Sequence, residues 1–155
     1  MAIINRLRDG VAIVGLSLIL AACQTLGGSG LIASTVTAEL TLAGATSIAG
    51  DMVGQFGTHV GPGGTTIRLR GDGSTFGSAL EESLRTAGYA VVIDQGSSDA
   101  GAIDLAYTVD SFEGSVMVRL STVSLDLTRL YTLDGDVAVP TGPVSVMRRD
   151  EIDPK

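Results

Sequence analysis

The sequence predicts an α+β domain in which two helices pack on one face of a mostly antiparallel sheet of four to five strands, in the order α-β-α-β-β-β-β. Two observations predict this fold. Between residues 41 and 93, segments with a helical spacing of apolar residues alternate with short segments typical of strands. Between residues 103 and 139, apolar and polar residues alternate and tight turn signals separate the segments.

The first helix is predicted from about Thr41 to His59. Apolar residues recur at steps of three, four and one, as in an amphipathic helix: Ala45, Ile48, Ala49, Met52, Val53, Phe56 and Val60. The segment also contains four glycines, Gly44, Gly50, Gly54 and Gly57. Each glycine costs about 0.8 to 1 kcal/mol relative to alanine in a helix interior. We therefore expect this helix to depend on docking its apolar stripe.

A strand, a second helix and another strand follow. Residues 65–70 alternate, with Ile67 and Leu69 on one face. Ser74 or Thr75 is placed to cap a helix, and Gly88 to end it in the left-handed conformation. The apolar face of this helix comprises Phe76, Leu80, Leu84 and Ala87. Residues 89–93 form an apolar run that we expect to lie parallel to the first strand, because a helix connects the two.

Three alternating segments make up the second half of the domain. Glu113-Gly114 predicts a hairpin between the first two, and Asp134-Gly135 predicts a turn after the third. The apolar residues of one face are Ile103, Leu105, Tyr107, Val109, Val116, Val118, Leu120, Val123, Leu125, Leu127, Tyr131 and Leu133. Arg129 and Leu130 interrupt the third alternation. We expect residues 137–139 to return as a strand and the chain after Pro140 to be irregular.

The N-terminal residues have the parts of a bacterial lipoprotein signal peptide. Arg6 and Arg8 form a basic segment, residues 11–20 are apolar, and Ala21-Ala22 provides the small residues that a signal peptidase needs before Cys23. The alternative is a membrane-spanning helix followed by an ordinary thiol. Residues 11–22 would extend only about 18 Å as a helix, whereas a bilayer core needs about 30 Å. Length therefore favours a lipobox with Cys23 as the lipidated residue.

This interpretation divides the chain into four parts. Residues 1–22 are the signal peptide, residues 23–35 a lipidated, flexible tether rich in Gly and Ser, residues 36–140 the globular domain and residues 141–155 a C-terminal tail. Removal of residues 1–22 leaves 133 residues, which suffices for one domain. The only cysteine is then acylated, so no thiol remains for a disulfide, a zinc site or a nucleophile.

The charge balance argues against direct binding of nucleic acid. The formal net charge is −7, and loss of two arginines and one aspartate with the signal peptide changes it to −8. A surface of that sign repels phosphates and anionic headgroups. Attachment to a membrane is therefore expected to come from the lipid on Cys23.

The sequence contains one pattern that resembles a nucleotide site. Residues 71–77 are glycine-rich, lie between a strand and a helix, and are followed by Asp94. However, a nucleotide site of this kind follows a central parallel strand, and both faces of such a strand are buried. The strand here carries Arg68 and Arg70 on one face, which argues against that position. No second βαβαβ half follows. A turn and a helix cap explain the same residues, and we predict no cofactor.

Other candidate sites are equally incomplete. His59 is the only histidine and has no second histidine or thiol with which to bind a metal. Asp134 and Asp136 lack the 12-residue ligand pattern of a calcium loop. No G-x-S-x-G motif surrounds a serine. We therefore predict no catalytic residue, no metal site and no enzymatic activity.

The C-terminal tail provides candidate residues for docking on a partner. They are Val144, Val146, Met147, Arg148 and Arg149. The apolar members could add a strand to the sheet or dock in a groove of another subunit. The alternative, common for charged termini, is a solvated tail.

Several segments together resemble the TrbH conjugal-transfer lipoproteins. They are residues 62–70 (PGGTTIRLR), 76–81 (FGSALE), 88–91 (GYAV), 118–121 (VRLS), 127–129 (LTR) and 145–149 (SVMRR). The likeness covers residues 45 to 149 and includes the lipobox. It implies a non-enzymatic subunit of a type IV secretion apparatus for mating-pair formation and plasmid transfer. Its implied partners are the other core subunits, and a homo-oligomeric ring within that complex is one arrangement that the resemblance leaves open.

The residue after the lipidated cysteine bears on location. Gln24 stands where lipoproteins retained at the inner membrane generally have Asp, so we expect an outer-membrane lipoprotein that faces the periplasm. A different class of function remains as the alternative. Small tethered α+β domains also regulate envelope enzymes, such as peptidoglycan synthases.

Overall fold

The computed structural model describes residues 33–93 and 101–149. The predicted signal peptide, Cys23, the predicted tether up to residue 32, residues 94–100 with Asp94, and residues 150–155 lie outside the described residues. The two helices are α1 (Leu42–Gly57) and α2 (Thr75–Thr86). The strands are β1 (Thr35–Val36), β2 (Thr66–Leu69), β3 (Ala90–Ile93), β4 (Ile103–Phe112), β5 (Ser115–Ser121), β6 (Leu125–Asp134), β7 (Val137–Pro140) and β8 (Ser145–Arg148).

The strands form one mixed sheet in the order β3-β2-β4-β5-β6-β7, with β1 beside β4 and β8 beside β6. β2 pairs in parallel with both β3 and β4, and β1 is parallel to β4. The remaining pairs are antiparallel. The prediction of an α+β domain with two helices is confirmed. The prediction of a mostly antiparallel sheet of four to five strands is wrong, because the described sheet is mixed and has eight strands.

The difference arises from two long strands that each pair with two short ones along the same edge. β4 pairs first with β2 and then with β1, and one edge of β6 pairs with both β8 and β7. β1 has two residues and begins at Thr35, the last residue assigned to the tether. Strands this short carry too little alternation to be recognised. The interruption at Arg129 and Leu130 is likewise not a break, since β6 continues through both residues.

Both helices lie on one face of the sheet and enclose an aliphatic core. Cross-strand registers place Tyr107 and Tyr131 on the same face, where α2 contacts the first and α1 the second. Two aromatic pairs join this layer: the ring centroids of Phe56 and Tyr89 are 5.8 Å apart, and those of Phe76 and Tyr107 are 5.3 Å apart. The fully buried aliphatic side chains include Ile48, Met52, Ile67, Leu69, Leu80, Leu84, Leu105 and Leu120.

The ends of the helices follow the predicted signals. The Thr41 hydroxyl accepts a hydrogen bond from the Gly44 amide at the start of α1, and Ser74 does the same for Gly77 at the start of α2. Gly88 has φ +96° and ends α2 in the conformation that glycine favours. Neither helix among the described residues is long and apolar enough to cross a membrane.

Candidate functional site

A charged cluster on the helix-covered face ties α1 to β6. The Arg129 guanidinium donates hydrogen bonds to both carboxylate oxygens of Asp51, at 2.8 and 2.9 Å. The Tyr131 hydroxyl donates to the same carboxylate, and Arg129 also donates to the Gly142 carbonyl. Arg129 replaces an apolar residue in the inward-facing row of β6. Asp51 therefore neutralises the Arg129 guanidinium, which would be strongly destabilising if it were buried without a partner.

A second polar cluster joins the start of α2 to β4. The Tyr107 hydroxyl donates to the Asp72 carboxylate at 2.6 Å and accepts from the Asp72 backbone amide at 3.2 Å, and the same carboxylate accepts from the Ser74 amide at 2.9 Å. A Cβ added at Gly77 would overlap the Tyr107 hydroxyl, so the helix approaches the tyrosine as closely as only glycine permits. The glycine-rich segment is thus a turn and a helix cap, as predicted.

These environments shift the pKa of the phenols and of Asp72. Burial, and then the hydrogen bond to Asp72, raises the pKa of Tyr107 to about 12. Burial and the neighbouring Asp51 also raise the pKa of Tyr131, and burial raises that of Tyr89. Burial opposes ionisation of Asp72, but hydrogen bonds from Ser74 and Tyr107 outweigh it and lower the pKa. At neutral pH Asp72 is therefore ionised and the three phenols are protonated, as the hydrogen bond from Tyr107 to Asp72 requires.

The segment predicted for docking forms strand β8 and its flanks. Val144 packs partly against the core, whereas Val146 and Met147 are 41% and 56% exposed. Arg148 lies 3.2 Å from Nδ1 of His59, just beyond the C-terminal end of α1. Arg149 forms an ion pair with the buried carboxylate of Asp126 and donates to two carbonyls of the β5–β6 turn. The structure therefore brings together only some of the predicted docking residues on the surface.

The edge of the sheet beside β6 is formed by β7 and β8. Each pairs with β6 on one side, and the opposite side of each meets no other described strand. Val137 and Val139 on β7 are 51% and 48% exposed. An edge with exposed apolar side chains and unpaired backbone groups is suited to strand addition.

The face of the sheet opposite the helices, which we call the open face, is a further surface that sequence reasoning missed. Arg119 lies near its middle between Thr108 and Thr128, and its Nε donates to the Thr128 hydroxyl at 3.3 Å. Beside it, a cavity of about 290 Å³ lies where β6 meets the connection between β7 and β8. Its lining includes Met117, Thr128, Leu130, Thr141, Pro143 and Ser145.

A larger groove of about 560 Å³ separates the outer sides of α1 and α2. Gly50, Gly54 and Gly57 line the α1 side, and Ser83 and Thr86 line the α2 side. No group of three or more His, Cys, Asp or Glu side chains within the described ranges is arranged to hold a metal ion.

Residues 26–150 match the family model described as "Conjugal transfer protein TrbH". The chain belongs to the TrbH family. A curated relative from Sinorhizobium fredii (strain NBRC 101917 / NGR234), named "Probable conjugal transfer protein TrbH", is 40% identical over 137 residues, which cover 85% of this chain and 92% of the relative. No solved structure matches the chain. The predicted TrbH resemblance is confirmed, and membership of this family indicates a role related to conjugal transfer alongside other transfer-system subunits.

Proposed function

We propose that the chain is a lipid-anchored, non-enzymatic assembly subunit of a conjugal type IV secretion apparatus, attached to the outer membrane and facing the periplasm. The observation that carries the proposal is the TrbH family match over residues 26–150, which begins three residues after the lipobox cysteine. The region that matches the family therefore begins directly after the proposed anchor and includes the whole described domain.

The charge of the domain supports attachment through lipid rather than through protein surface. The residues after the signal peptide have a net charge of −8, which disfavours contact with anionic headgroups. Each methylene of a buried acyl chain contributes about 0.8 kcal/mol to membrane affinity, and two or more chains give stable anchoring. Diacylglycerol on Cys23 is sufficient for this purpose.

The edge formed by β7 and β8 supports a role in assembly. It offers unpaired backbone groups together with exposed Val139, Val146 and Met147. A strand of another subunit would satisfy those backbone groups and bury the valines and the methionine. Arg149 holds β8 in place from within the chain, so the strand is presented in a fixed register.

The anchor is tested by the Cys23→Ala variant in donor cells, with Thr25→Ala as a matched control two residues away. We expect the frequency of plasmid transfer to fall toward that of a donor without the protein for Cys23→Ala, and to stay at the wild-type frequency for Thr25→Ala. Protein levels are measured in parallel by immunoblot. Normal transfer by Cys23→Ala at normal levels would contradict the proposal and favour the alternative of a regulator of an envelope enzyme.

Location is tested separately by the Gln24→Asp variant. If the residue after the lipidated cysteine directs sorting, this variant is retained in the inner-membrane fraction of a density gradient, while the wild-type protein is found in the outer-membrane fraction. Identical fractionation of both proteins would refute an outer-membrane location set by Gln24.

Docking along the edge is tested by Val146→Asp. A charge on an exposed strand residue should leave the melting temperature nearly unchanged but reduce transfer, because the partner strand would have to bury it. Ser78→Asp is the control, since Ser78 is exposed on α2, which packs on α1 and β3 rather than on this edge. Equal transfer by the two variants would exclude the edge as the docking site.

A further inference from the structure

The open face carries exposed apolar side chains, and no helix or strand of the described ranges packs over it. Eight large hydrophobic side chains are exposed in the described residues, and four of them lie on the open face: Phe112, Val137, Val139 and Met147. The half-buried Met117 and Leu130 lie directly opposite each other, Phe112 is diagonal to Met117, and Val139 is diagonal to Leu130 and two residues from Val137. We call Phe112, Met117, Leu130, Val137 and Val139 the open-face patch. A contiguous patch of this kind marks an interaction surface.

Opposite charges stand at the two ends of the patch. Arg119 is aligned with Thr128 of β6, and Asp134 lies six residues further along the same strand, on the same face. The spacing between these two positions is about 20 Å, at about 3.3 Å per residue. Arg68, Arg85, Arg129 and Arg149 each pair with a carboxylate. Neither Arg119 nor Asp134 forms an ion pair within the part of the chain that the structure describes.

This arrangement is complementary to itself. We propose that a second copy of this chain covers the open face, packed sheet against sheet around a two-fold axis that lies between the sheets and runs across the strands. Arg119 of each copy then pairs with Asp134 of the other, and the open-face patch is buried between the two ion pairs. Sheets packed in this way are found in β-sandwiches, and the same surface serves both partners, as a two-fold dimer requires.

The cavity beside Leu130 fits this arrangement. The two-fold rotation carries Val139 of one copy to a position beside Leu130 of the other, next to the connection between β7 and β8, where the cavity lies. An aliphatic side chain is well matched to walls formed by Met117, Leu130 and Pro143. The inference concerns association of the purified chain with itself and does not depend on the proposed role in transfer.

Charge reversal provides a test that separates docking from folding. In the dimer of Arg119→Asp, a carboxylate faces a carboxylate at both ends of the patch, and in the dimer of Asp134→Arg, a guanidinium group faces a guanidinium group at both ends. A mixture of these two variants, however, forms heterodimers in which both pairs are attractive. Contact of this face with a different subunit would not be restored in this way.

The experiment is sedimentation equilibrium of the full lipidated chain in a nonionic detergent, with micelles in large excess over protein. We expect the wild-type chain to dimerise, each single variant to dimerise at least about tenfold more weakly, and the equimolar mixture to regain most of the wild-type affinity. Glu82→Arg, an exposed charge reversal on α2, should dimerise like the wild type. Circular dichroism confirms that each variant is folded.

Three results would overturn the inference. The first is a wild-type chain that stays monomeric up to about 100 μM, a concentration at which even weak specific contacts associate. The second is unchanged dimer affinity in the single variants. The third is a mixture that sediments as the sum of its two components. A monomeric wild-type chain would indicate that a different subunit covers the open-face patch.

Discussion

Arginine side chains on the two faces of the sheet have different partners. Arg129 on β6 points toward the helices and is neutralised by Asp51, with Tyr131 completing the cluster. Arg119 on β5 points to the open face, and the hydrogen bond that it makes there is with Thr128. The two arginines lie on neighbouring strands only one residue out of register. They differ because α1 covers Arg129, whereas no described helix or strand packs over Arg119.

This difference teaches which parts of the sheet maintain the fold and which remain available to a partner. On the covered face, leaving Arg129 or Tyr131 without a partner would cost about 1 to 3 kcal/mol or more, and Asp51 is the partner of both. On the open face, Arg68 and Asp126 also have partners within the chain, whereas Arg119 is half-exposed and forms no ion pair with a described residue. A charge that the fold leaves unmatched beside apolar side chains is available for contacts with another molecule.

The largest expected effect breaks the covered cluster. Arg129→Ala leaves the Asp51 carboxylate without its cation and should lower the free energy of unfolding by about 2 to 3 kcal/mol, because both side chains are largely buried. The measurement is urea unfolding followed by circular dichroism. Asp51→Ala combined with Arg129→Ala should cost less than the sum of the single changes. Additive losses would show that the two groups do not act together.

The next effect concerns the close approach of α2 to β4. Gly77→Ala forces a methyl group against the Tyr107 hydroxyl and should destabilise the protein by about 2 kcal/mol. Gly50→Ala is the matched control, since a Cβ there meets no atom within 4 Å and alanine favours the helix by about 0.8 kcal/mol. Thermal unfolding should therefore shift in opposite directions. A shift of the same sign for both variants would contradict the packing described.

Alkaline pH tests the covered face through its phenols. The folded-state pKa values of Tyr89, Tyr107 and Tyr131 are all raised, so their stabilising contribution is complete below pH 10 and is lost as pH rises above it. For Tyr107 the loss extends from pH 10 to about 12, with a slope of about 1.4 kcal/mol per pH unit. Absorbance at alkaline pH should show phenolate formation coinciding with unfolding. Tyr107→Phe should reduce the slope, and phenolate formation near pH 10 in the folded protein would contradict the burial.

The smallest expected effects lie on solvent-facing arginines. Arg85→Ala removes an exposed pair with Glu81 one helical turn away and should cost only about 0.3 to 0.5 kcal/mol. Arg119→Ala should cost about 0.5 kcal/mol under conditions where the chain is monomeric. Unfolding in urea measures both. A cost for Arg119→Ala as large as that for Arg129→Ala would remove the distinction between the two faces.

Local signals in the sequence were sufficient to predict most elements. The cap at Ser74, the left-handed Gly88 and the parallel pairing of β2 with β3 are all present. The hairpin at Glu113-Gly114 is also present, with φ of +47° and +81°. Each of these features depends on residues that are close together in the chain, which is why a pattern in the sequence reveals it.

The size of the sheet and the polar clusters could not be predicted in the same way. Which short strand pairs with which edge of β4 or β6 depends on distant segments, and the pairs β1–β4 and β6–β8 leave little trace in local alternation. Arg129 disturbed the apolar pattern of β6 because its partner, Asp51, lies 78 residues earlier on α1. An arginine in an inward-facing row was nevertheless a signal for a buried acidic partner.

The measurement that most directly tests the division between the faces is the frequency of plasmid transfer from donors that carry Arg119→Asp. The variant should be present at the wild-type level and melt within about 5 °C of the wild-type temperature, because no contact of the covered face depends on Arg119. We predict that transfer nevertheless falls by about tenfold or more, as expected when a charge at an interface is reversed. Transfer at the wild-type frequency would contradict the assignment of the open face to assembly.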